Sequence, residues 1–593
     1  MRNHIHDAVK LITLATNQLL KKRIAILGGG PSALFVYKRF AEDAGPDFEI
    51  HIFESSDRLG AGMPYSDQGA NLEHVTNVSD NEIPDMVTSI REWIQTLPES
   101  TLETFNIDKD RFNEYKVLPR LLFGQYLSAQ FEMLIRQASE KGMTTKIHLE
   151  SRVSDITDHT DSEKTTVEIA GKGSFEFDQV IICTGHKWPK KDEGVVPGYF
   201  DSPYPPSKLR LKLNHAVALK GSSLTAIDAI RTLARMNGRF GTNKEGKVSY
   251  QPSDESPDFK IVMHSRNGLL PAVRFHLEDP LVSNDSLLSK EQIQLNKEEN
   301  GGFLSLDFVF EKEFKDTFKE KDPGFYGKIK DLSMEDFVES MMGLRESREP
   351  FSLFKAEYEE AERSIKNRES IYWKEMLAVL SFAMNYPAKY LSAEDMQRLQ
   401  KVLMPLISVV IAFVPQSSCE ELLAIHQAGR LDIVSVGEDS SVEPFEKGGV
   451  NYQYTDDSGN EKSVHFKTFI DCVGQLHLSF EAFPFKGLLK NKTVSRAKIQ
   501  FKSAEKGRAQ MEEGNKKVEE ATDGNYYLNV PGITINDNFQ VVDPQGKASE
   551  RVFIMAVPYI GGYNPDYSGL DFCEEASASI VNTILKKEET AER

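Results

Sequence analysis

An α/β fold made of two similar strand–turn–helix units is what this sequence predicts. The first unit is the stretch from Lys22 to Glu54, where a short apolar run leads through a glycine-rich turn into a helical pattern and a second apolar run. The second unit begins near His215 and repeats that order of parts. Between it and its return lies a charged stretch with helical periodicity, residues 272–404. We therefore predict two Rossmann-like three-layer dinucleotide-binding domains with a helical insertion.

The glycine-rich turn of the first unit has the residue types that a dinucleotide requires. Gly28 permits a tight turn, Gly30 lets a pyrophosphate approach the backbone, and Ala33 lets helix and strand pack closely. The helix N-terminus adds unpaired N–H groups for the phosphates, and Glu54 at the end of the second strand can accept hydrogen bonds from a ribose diol. The alternative is a plain βαβ turn. The residues that we assign to this part of the site are Gly28, Gly30, Pro31, Ser32, Ala33 and Glu54.

The segment after Glu54 indicates FAD. It continues from Ser55 to Ser66 with small residues and no new strand, and it resembles the loop that folds along the flavin in two-dinucleotide flavoprotein oxidoreductases. Further on, a buried strand led by Asp178 ends in Thr184-Gly185, which resembles a second signature of those flavoproteins. The alternative for this strand is an ordinary buried strand that ends in a turn. The resemblance places these residues at the cofactor: Gly62, Met63, Tyr65, Asn77, Thr184 and Gly185.

The second unit predicts a site for NADPH. We expect a strand at 216–219, a helix at 227–236 and a further strand at 259–264 that leads into Arg266. Arg266 stands where the 2′-phosphate of NADPH would be bound, which favours NADPH over NADH. Ser223 stands where the second glycine is expected, and its side chain narrows the approach to a pyrophosphate. A degenerate lobe that serves packing alone is the alternative, and Arg266 is then a surface cation. The assigned residues are Gly221, Ser222, Ser223, Thr225 and Arg266.

The remaining chain closes both units. A strand at 551–556, a Pro- and Gly-rich loop and a helix from Gly569 to Leu585 are typical of the last part of an FAD domain, and the helix N-terminus, with Gly569 and Leu570, faces the flavin. The polar block 502–523 is expected to be a mobile surface excursion. The domain limits that we predict are 1–21 for a lead-in helix, 22–214 and 476–593 for the FAD domain, 215–271 and 405–475 for the NAD(P) domain, and 272–404 for the insertion, a lid or cap.

Composition excludes several classes of protein. A formal charge of -19 and a pI near 5.3 argue against nucleic acid and anionic membranes as partners. The four cysteines form no Cys-x-x-Cys pair, so we expect no metal site. The apolar stretch 404–413 is too short for a membrane span, and the first residues lack a secretory pattern, which favours the cytoplasm. Nothing in the sequence indicates an oligomeric state.

Taken together, these motifs resemble FAD/NAD(P)-binding proteins related to class B flavin monooxygenases. The pattern from Asp178 to Pro189 is similar to that of the N-hydroxylating type, and Lys187-Trp188-Pro189 is only a fragment of the Baeyer–Villiger signature. The resemblance implies an enzyme that uses FAD, NADPH and molecular oxygen to hydroxylate a small polar substrate, an amine or amino acid. Tyr65 and Asn77 are the polar groups that it places at the flavin ring.

Alternatives to this function remain open at the level of sequence. The same fold serves flavin reductases and oxidases, and Ser223 together with the long insertion is compatible with a regulatory module that binds a nucleotide without turnover. His74 could act as a catalytic base, although a hydrogen-bonded structural histidine is the better interpretation. No residue is assigned a catalytic role from the sequence.

Overall fold

The structure is a computed structural model that describes residues 21–185, 188–277, 288–456, 458–475, 477–565 and 569–591. The predicted lead-in helix, residues 1–21, lies outside the described residues except for Lys21, and so do His186 and Lys187 of the pattern from Asp178 to Pro189.

The described strands are, in chain order, β1 (Lys22–Leu27), β2 (Phe48–Phe53), β3 (Val75–Ser79), β4 (Val117–Pro119), β5 (Thr144–His148), β6 (Val153–His159), β7 (Lys164–Ile169), β8 (Gly173–Phe177), β9 (Gln179–Ile182), β10 (Tyr199–Phe200), β11 (Ala216–Lys220), β12 (Gly238–Thr242), β13 (Val248–Pro252), β14 (Lys260–Ser265), β15 (Leu431–Ser435), β16 (Ser441–Pro444), β17 (Val450–Thr455), β18 (Glu461–Phe466), β19 (Thr468–Asp471), β20 (Arg496–Gln500), β21 (Val518–Glu520), β22 (Tyr526–Ile533), β23 (Gln540–Val542) and β24 (Ala548–Ile554).

The described α-helices are α1 (Pro31–Asp43), α2 (Ile90–Ile94), α3 (Glu99–Phe105), α4 (Arg120–Glu140), α5 (Leu224–Met236), α6 (Lys290–Glu299), α7 (Leu306–Glu313), α8 (Phe318–Lys321), α9 (Pro323–Ile329), α10 (Met334–Glu346), α11 (Pro350–Asn367), α12 (Tyr372–Asn385), α13 (Ala393–Arg398), α14 (Met404–Val410), α15 (Gln416–Gln427), α16 (Lys486–Lys490), α17 (Ala504–Glu512) and α18 (Gly569–Ala591). A π-helical turn, Leu399–Leu403, joins α13 to α14.

The first sheet has the strand order β23-β24-β9-β1-β2-β5, and its neighbours are parallel except for the β23–β24 pair. Its middle strands end at the same level, because Leu27 of β1 is in register with Phe53 and Ile182, and Ile182 is in register with Ile554. The carboxyl edge of such a sheet is where α/β proteins bind ligands. The residues that follow these strand ends along the edge are Glu54, Gly28, Cys183 and Met555.

The second sheet is parallel throughout, with the order β10-β19-β11-β14-β15. Lys220 at the end of β11 is in register with His264 of β14 and Asp471 of β19, so Gly221 and Cys472 leave the sheet at one edge. Helix α5 follows β11 as α1 follows β1. The predicted α/β fold with two Rossmann-like units and a helical insertion is therefore confirmed.

The prediction that the polar block 502–523 is a mobile surface excursion is wrong. It forms α17 and β21, and β21 pairs with β22 in a small antiparallel sheet. Gly507 explains the packing, since a Cβ there would lie 2.4 Å from the Cβ of Tyr526. The high charge of the block is carried on the solvent face of an ordered helix.

Helices α6 to α13 lie within the predicted insertion, α14 begins at its predicted end and continues to Val410, and apolar residues of the insertion belong to the cores of both units. Leu377 and Leu380 pack in the cluster that contains Ile26 of the first sheet, whereas Ala378 packs in the cluster of Leu219 in the second. The insertion therefore bridges the two nucleotide folds and shares their cores.

Candidate functional site

The first turn requires glycine at Gly28. Its φ is +99°, and a Cβ there would lie 2.7 Å from the carbonyl oxygen of Cys183, closer than real Cβ contacts. The backbone N–H of Gly28 donates to the carbonyl of Phe53 at 2.8 Å. The chain can thus leave β1 between the ends of β2 and β9 only when this position has no side chain.

The N-terminus of α1 opens onto the same edge. Gly30 is its N-cap residue and no side chain caps the helix, so by helix geometry the first N–H groups have no intrahelical acceptor. A Cβ at Gly30 would approach the Cα of Gly62 to 3.2 Å. The two glycines therefore pack closely together because neither has a side chain, and the positive end of the helix stays open, as it is where other proteins bind a pyrophosphate.

Glu54 organises the turn as well as facing the ligand edge. One carboxylate oxygen accepts the N–H of Gly29 at 2.6 Å, and the other accepts the N–H of Ser56 at 2.7 Å and the hydroxyl of Ser55 at 3.1 Å. A carboxylate offers about four acceptor positions, so these contacts leave capacity for a further hydroxyl donor.

A cavity of about 590 Å³ lies over this edge, within the size range of cofactor sites. The structure brings most of the residues predicted for FAD to its wall, whereas Ala33 lies behind them, fully buried where the helix packs on the sheet. The predicted residues on the wall are Gly28, Gly30, Pro31, Ser32, Glu54, Gly62, Met63, Tyr65, Asn77, Thr184, Gly185, Gly569 and Leu570.

The structure adds cavity residues that sequence reasoning missed. Several are close neighbours of predicted residues and could have been found by extending each motif by one to three positions: Ser55, Pro64, Val78, Cys183, Asp571, Phe572 and Cys573. Others come from distant parts of the chain, including the insertion, and no local pattern marks them: Glu82, Ile83, Leu277, Ala378, Phe382, Ile411, Phe413, Met555, Val557 and Pro558.

Thr184 tests whether a cofactor fits. Its hydroxyl oxygen is buried and has no hydrogen-bond partner in the described part of the protein, although it lies on the cavity wall. Buried polar groups are rarely left without partners, so this hydroxyl needs a ligand atom or a bound water. With the uncapped helix end at Gly30 and the free acceptor position on Glu54, the wall matches a ligand with phosphates, a ribose and a polar ring, as FAD has.

Asn77 and Glu82 are held by one arginine. Arg274, from the segment after the second unit, donates to the carbonyl of Asn77 at 2.6 Å and to the Ser79 hydroxyl at 2.8 Å, and it forms a two-point ion pair with Glu82. Burial lowers the pKa of Arg274 to about 10. The guanidinium remains charged at neutral pH and neutralises the Glu82 carboxylate.

Tyr65 is half-buried and packs against Phe123, with ring centroids 4.9 Å apart and near-perpendicular planes. Burial raises its pKa, so the phenol is neutral. Tyr65 and Asn77 share the cavity wall as predicted for polar groups near the flavin, and their roles stay a prediction.

His74 is a structural residue that joins the two units. Its Nδ1 accepts the N–H of Asn71 at 3.1 Å, and its Nε2 lies 3.1 Å from both the Asp228 carbonyl and the Thr232 hydroxyl. Burial lowers its pKa and keeps the ring neutral. It does not line the described cavity, which agrees with the interpretation as a hydrogen-bonded residue.

Asp228 carries the charged part of the same junction. Burial acts to raise the pKa of its carboxyl, but the Arg120 guanidinium at 2.5 Å holds it below its usual value. The Tyr204 hydroxyl donates to the same oxygen at 2.8 Å. Helix α5 of the second unit is thereby fixed to the start of α4 in the first unit.

The second turn repeats the backbone of the first. Gly221 has φ +106°, and a Cβ there would lie 2.9 Å from the carbonyl oxygen of Cys472. Ser223 is the N-cap of α5 with φ -87° and ψ -167°, close to the -80° and -163° of Gly30. Its side chain is exposed, so it does not change the backbone of the turn.

The predicted residues of the second site lie apart from the first cavity. Ser222 donates to the Leu269 carbonyl at 2.7 Å, and the Thr225 hydroxyl would lie 3.6 Å from a Cβ at Gly474. Arg266 is 65% exposed and lies 3.7 Å from Glu438. The turn and Arg266 face the carboxyl edge of the second sheet, and none of these residues lines the cavity over the first sheet.

Within the described residues, no cluster of His, Cys, Asp or Glu side chains could hold a metal ion. Searching those same residues finds no helix with the length and apolar character needed to cross a membrane.

Comparison with known proteins identifies the class. Residues 25–187 match the family model described as FAD-NAD(P)-binding, which confirms the predicted relation to FAD/NAD(P)-binding flavoproteins in this part of the chain. This part of the chain thus has an FAD/NAD(P)-binding fold. Residues 289–411 match a second model, the YdhS-like middle domain, which covers the described helices of the insertion.

A relative and two solved structures extend over nearly all of the chain. The uncharacterized protein YdhS of Escherichia coli is 27% identical over 96% of this chain and 99% of its own length. The bacillithiol disulfide reductase Bdr of Staphylococcus aureus covers 96% of this chain and 99% of its own, with a TM-score of 0.41 and 10% identity. The cadaverine monooxygenase DfoA of Erwinia amylovora covers 95% and 94%, with a TM-score of 0.44 and 11% identity.

Proposed function

We propose that this protein is an FAD-dependent oxidoreductase that takes its electrons from NADPH. The observation that carries the proposal is the duplicated turn. Gly28 and Gly221 each have a positive φ that favours glycine, and each lies so close to the carbonyl at the end of a neighbouring strand that a Cβ would clash with it. Each is followed by a helix whose N-terminus no side chain caps. Two such turns in one chain suit two dinucleotides. The FAD-NAD(P)-binding match supports this for the first turn.

In this proposal the residues of the first cavity hold FAD. The pyrophosphate lies at the N-terminus of α1, beside Gly30 and Gly62, and Glu54 accepts a ribose hydroxyl. The Thr184 hydroxyl, which has no hydrogen-bond partner among the described residues, forms a hydrogen bond with a polar atom of the cofactor. Bound FAD would supply electron transfer and, once reduced, reaction with oxygen, while the protein supplies placement and exclusion of water.

NADPH is assigned to the second turn, with Arg266 as the residue that distinguishes it from NADH. Arg266 follows β14, the strand beside β11, where the 2′ position of an adenosine ribose is expected. Its ion pair with Glu438 is long and exposed and therefore weak. The guanidinium can exchange that partner for a 2′-phosphate, which it binds through two parallel hydrogen bonds.

For the reaction we propose monooxygenation of a small amine or amino-acid-like molecule, with molecular oxygen as co-substrate, as in the class B flavin monooxygenases that the sequence resembles. The Thr184-Gly185 strand end, now placed on the cavity wall, supports the N-hydroxylating type. All four cysteines are buried thiols, which supports a reducing compartment such as the cytoplasm.

The test measures product and peroxide together. NADPH, oxygen and a panel of amines and amino acids are added to the FAD-loaded protein. Hydroxylated product formed in proportion to NADPH consumed supports the proposal. NADPH consumption that yields hydrogen peroxide alone, with every candidate, would assign a reductase or oxidase. A protein that binds FAD but consumes no NADPH would favour the nucleotide-binding module, for which the exposed Ser223 is the specific observation.

A further inference from the structure

The direction of the cofactor across the first sheet identifies the ring end of the cavity. Glu54 follows β2, the turn at Gly28 follows β1, and Thr184 and Met555 follow β9 and β24, in that order along the edge. A dinucleotide whose ribose meets Glu54 and whose phosphates lie at the turn must extend toward β9 and β24. The flavin ring is therefore expected at the end of the cavity farthest from Glu54.

The insertion docks on that same end. The Asn564 amide, in the loop after β24, donates to the Asn385 carbonyl of α12 at 2.9 Å. Asp537, just before β23, accepts hydrogen bonds from Tyr386 at 2.9 Å and Tyr390 at 2.7 Å and pairs with Lys389 at 2.8 Å. These contacts fix the C-terminal end of α12 beside the outer strands of the first sheet.

The wall that the insertion and its flanking segments present to the cavity is apolar. Its residues come from α12, from the exit of α14 and from the segment that enters the insertion, and we call them the insertion wall: Leu277, Ala378, Phe382, Ile411 and Phe413.

Phe413 is held in the insertion wall by a costly backbone. Its φ is +52°, a left-handed conformation that is rare for a bulky residue, and its ring packs edge-on against Phe275 at 5.3 Å. Such conformations persist where the surroundings fix them, and they concentrate at ligand sites. A π-helical turn, Leu399–Leu403, lies just before α14, and such turns also recur at functional sites.

Besides Glu54, two carboxylates lie on the cavity wall, Asp571 near the start of α18 and Glu82, and the charge of Glu82 is compensated. Glu82 is the carboxylate on the loop beside Leu277, since Asn81 donates to the Leu277 carbonyl at 2.8 Å, and the Arg274 guanidinium neutralises it. The insertion wall itself carries no charged side chain.

We propose that the insertion wall binds the hydrocarbon body of the substrate, so that the substrate is an amine with an aliphatic or aromatic body and not a zwitterionic amino acid. The inference rests on the proposed function, because it takes the flavin ring to lie at this end. The α-ammonium and carboxylate of an amino acid would lose water against Leu277, Ile411 and the rings of Phe382 and Phe413 without gaining partners, whereas methylene groups gain by the same transfer.

The test uses a series of unbranched alkylamines from propylamine to hexylamine, with lysine as the zwitterionic comparison. Binding to the FAD-loaded protein is measured by calorimetry and by the shift of the flavin absorption. The dissociation constant is expected to fall about fourfold for each added methylene, and hexylamine should bind more tightly than lysine. The change Phe382→Ala should weaken hexylamine about tenfold, whereas FAD affinity, measured alongside because Phe382 lines the same cavity, should fall by much less.

A matched control is Phe325→Ala, which removes another half-buried phenylalanine of the insertion, packed on Phe318 at 4.8 Å and outside the cavity. Ile411→Ala is a second cavity variant should Phe382→Ala fold poorly. Three results would overturn the inference: a dissociation constant that does not change with chain length, tighter binding of lysine than of hexylamine, or equal loss of hexylamine affinity in the cavity variants and in the control. Failure to take up FAD would instead refute the proposed function, so the two failures are distinguishable.

Discussion

The sharpest consequence of the duplicated turn concerns Gly28→Ala. An alanine at φ +99° costs roughly 1–2 kcal/mol for the backbone conformation alone. Its Cβ would also lie 2.7 Å from the Cys183 carbonyl oxygen, so β1 and β9 must separate by several tenths of an ångström, and overpacking of this kind costs about 1–3 kcal/mol. The expected loss of stability is about 2–5 kcal/mol. Because the shift opens the edge that holds the cofactor, FAD affinity should fall at least about tenfold, equivalent to about 1.4 kcal/mol.

Two glycines serve as controls for this experiment. Gly171 has φ +72° with nothing within 4 Å of a built Cβ, so Gly171→Ala isolates the backbone cost and should leave FAD binding intact. Gly221→Ala meets the Cys472 carbonyl at 2.9 Å and should weaken NADPH instead of FAD. Urea unfolding and fluorescence titration with each nucleotide measure both effects. If Gly28→Ala behaved like Gly171→Ala, or if Gly221→Ala lost FAD equally, the reasoning would be refuted.

Three further changes test other parts of the account. Arg274→Met should cost about 3–5 kcal/mol in urea unfolding because it leaves the buried Glu82 carboxylate unpaired, and adding Glu82→Leu should restore most of that loss. Arg266→Ala should weaken NADPH about tenfold or more in a binding titration and leave NADH unchanged, and equal loss of both would assign Arg266 to folding. Burial lowers the pKa of His264 to about 4, from an ordinary value near 6.5. The stabilisation by the neutral imidazole is therefore fully present above a pH of about 6.5. As the pH falls from there through the folded pKa, the unfolded chain binds a proton more readily than the folded protein does, and the free energy of unfolding drops by about 3 kcal/mol. The change His264→Gln should make the free energy of unfolding less dependent on pH between the folded and the unfolded pKa of His264. An unchanged slope of that free energy against pH would contradict this prediction.

The turns could be predicted from sequence because their requirements are local. Gly28, Gly30 and Gly221 are needed by backbone conformation or by the approach of a neighbouring chain, and each lies between a strand pattern and a helix pattern. Thr184 is recognisable for a similar reason, as the exit of a strand. A residue type that one conformation demands leaves a signal in the adjacent sequence.

The insertion wall could not be predicted in this way. Ala378, Phe382 and Ile411 are ordinary apolar residues in helical surroundings, and only packing across distant segments brings them to the cavity. The pairing of Arg274 with Glu82 likewise joins parts of the chain 192 positions apart. The prediction for the block 502–523 was wrong because its many charged residues are typical of disordered segments, whereas one face of α17 packs on β22 at Gly507.

The central claim is that FAD in the first cavity receives electrons from NADPH bound at the second turn. Its most direct test is anaerobic mixing of the purified protein with NADPH while the visible absorption of the flavin is followed. The account predicts a yellow protein with non-covalent FAD that NADPH bleaches faster than NADH, and a slower reaction in Gly221→Ala with FAD still bound. Folded protein that carries no flavin, or bound FAD that NADPH leaves oxidised, would contradict it.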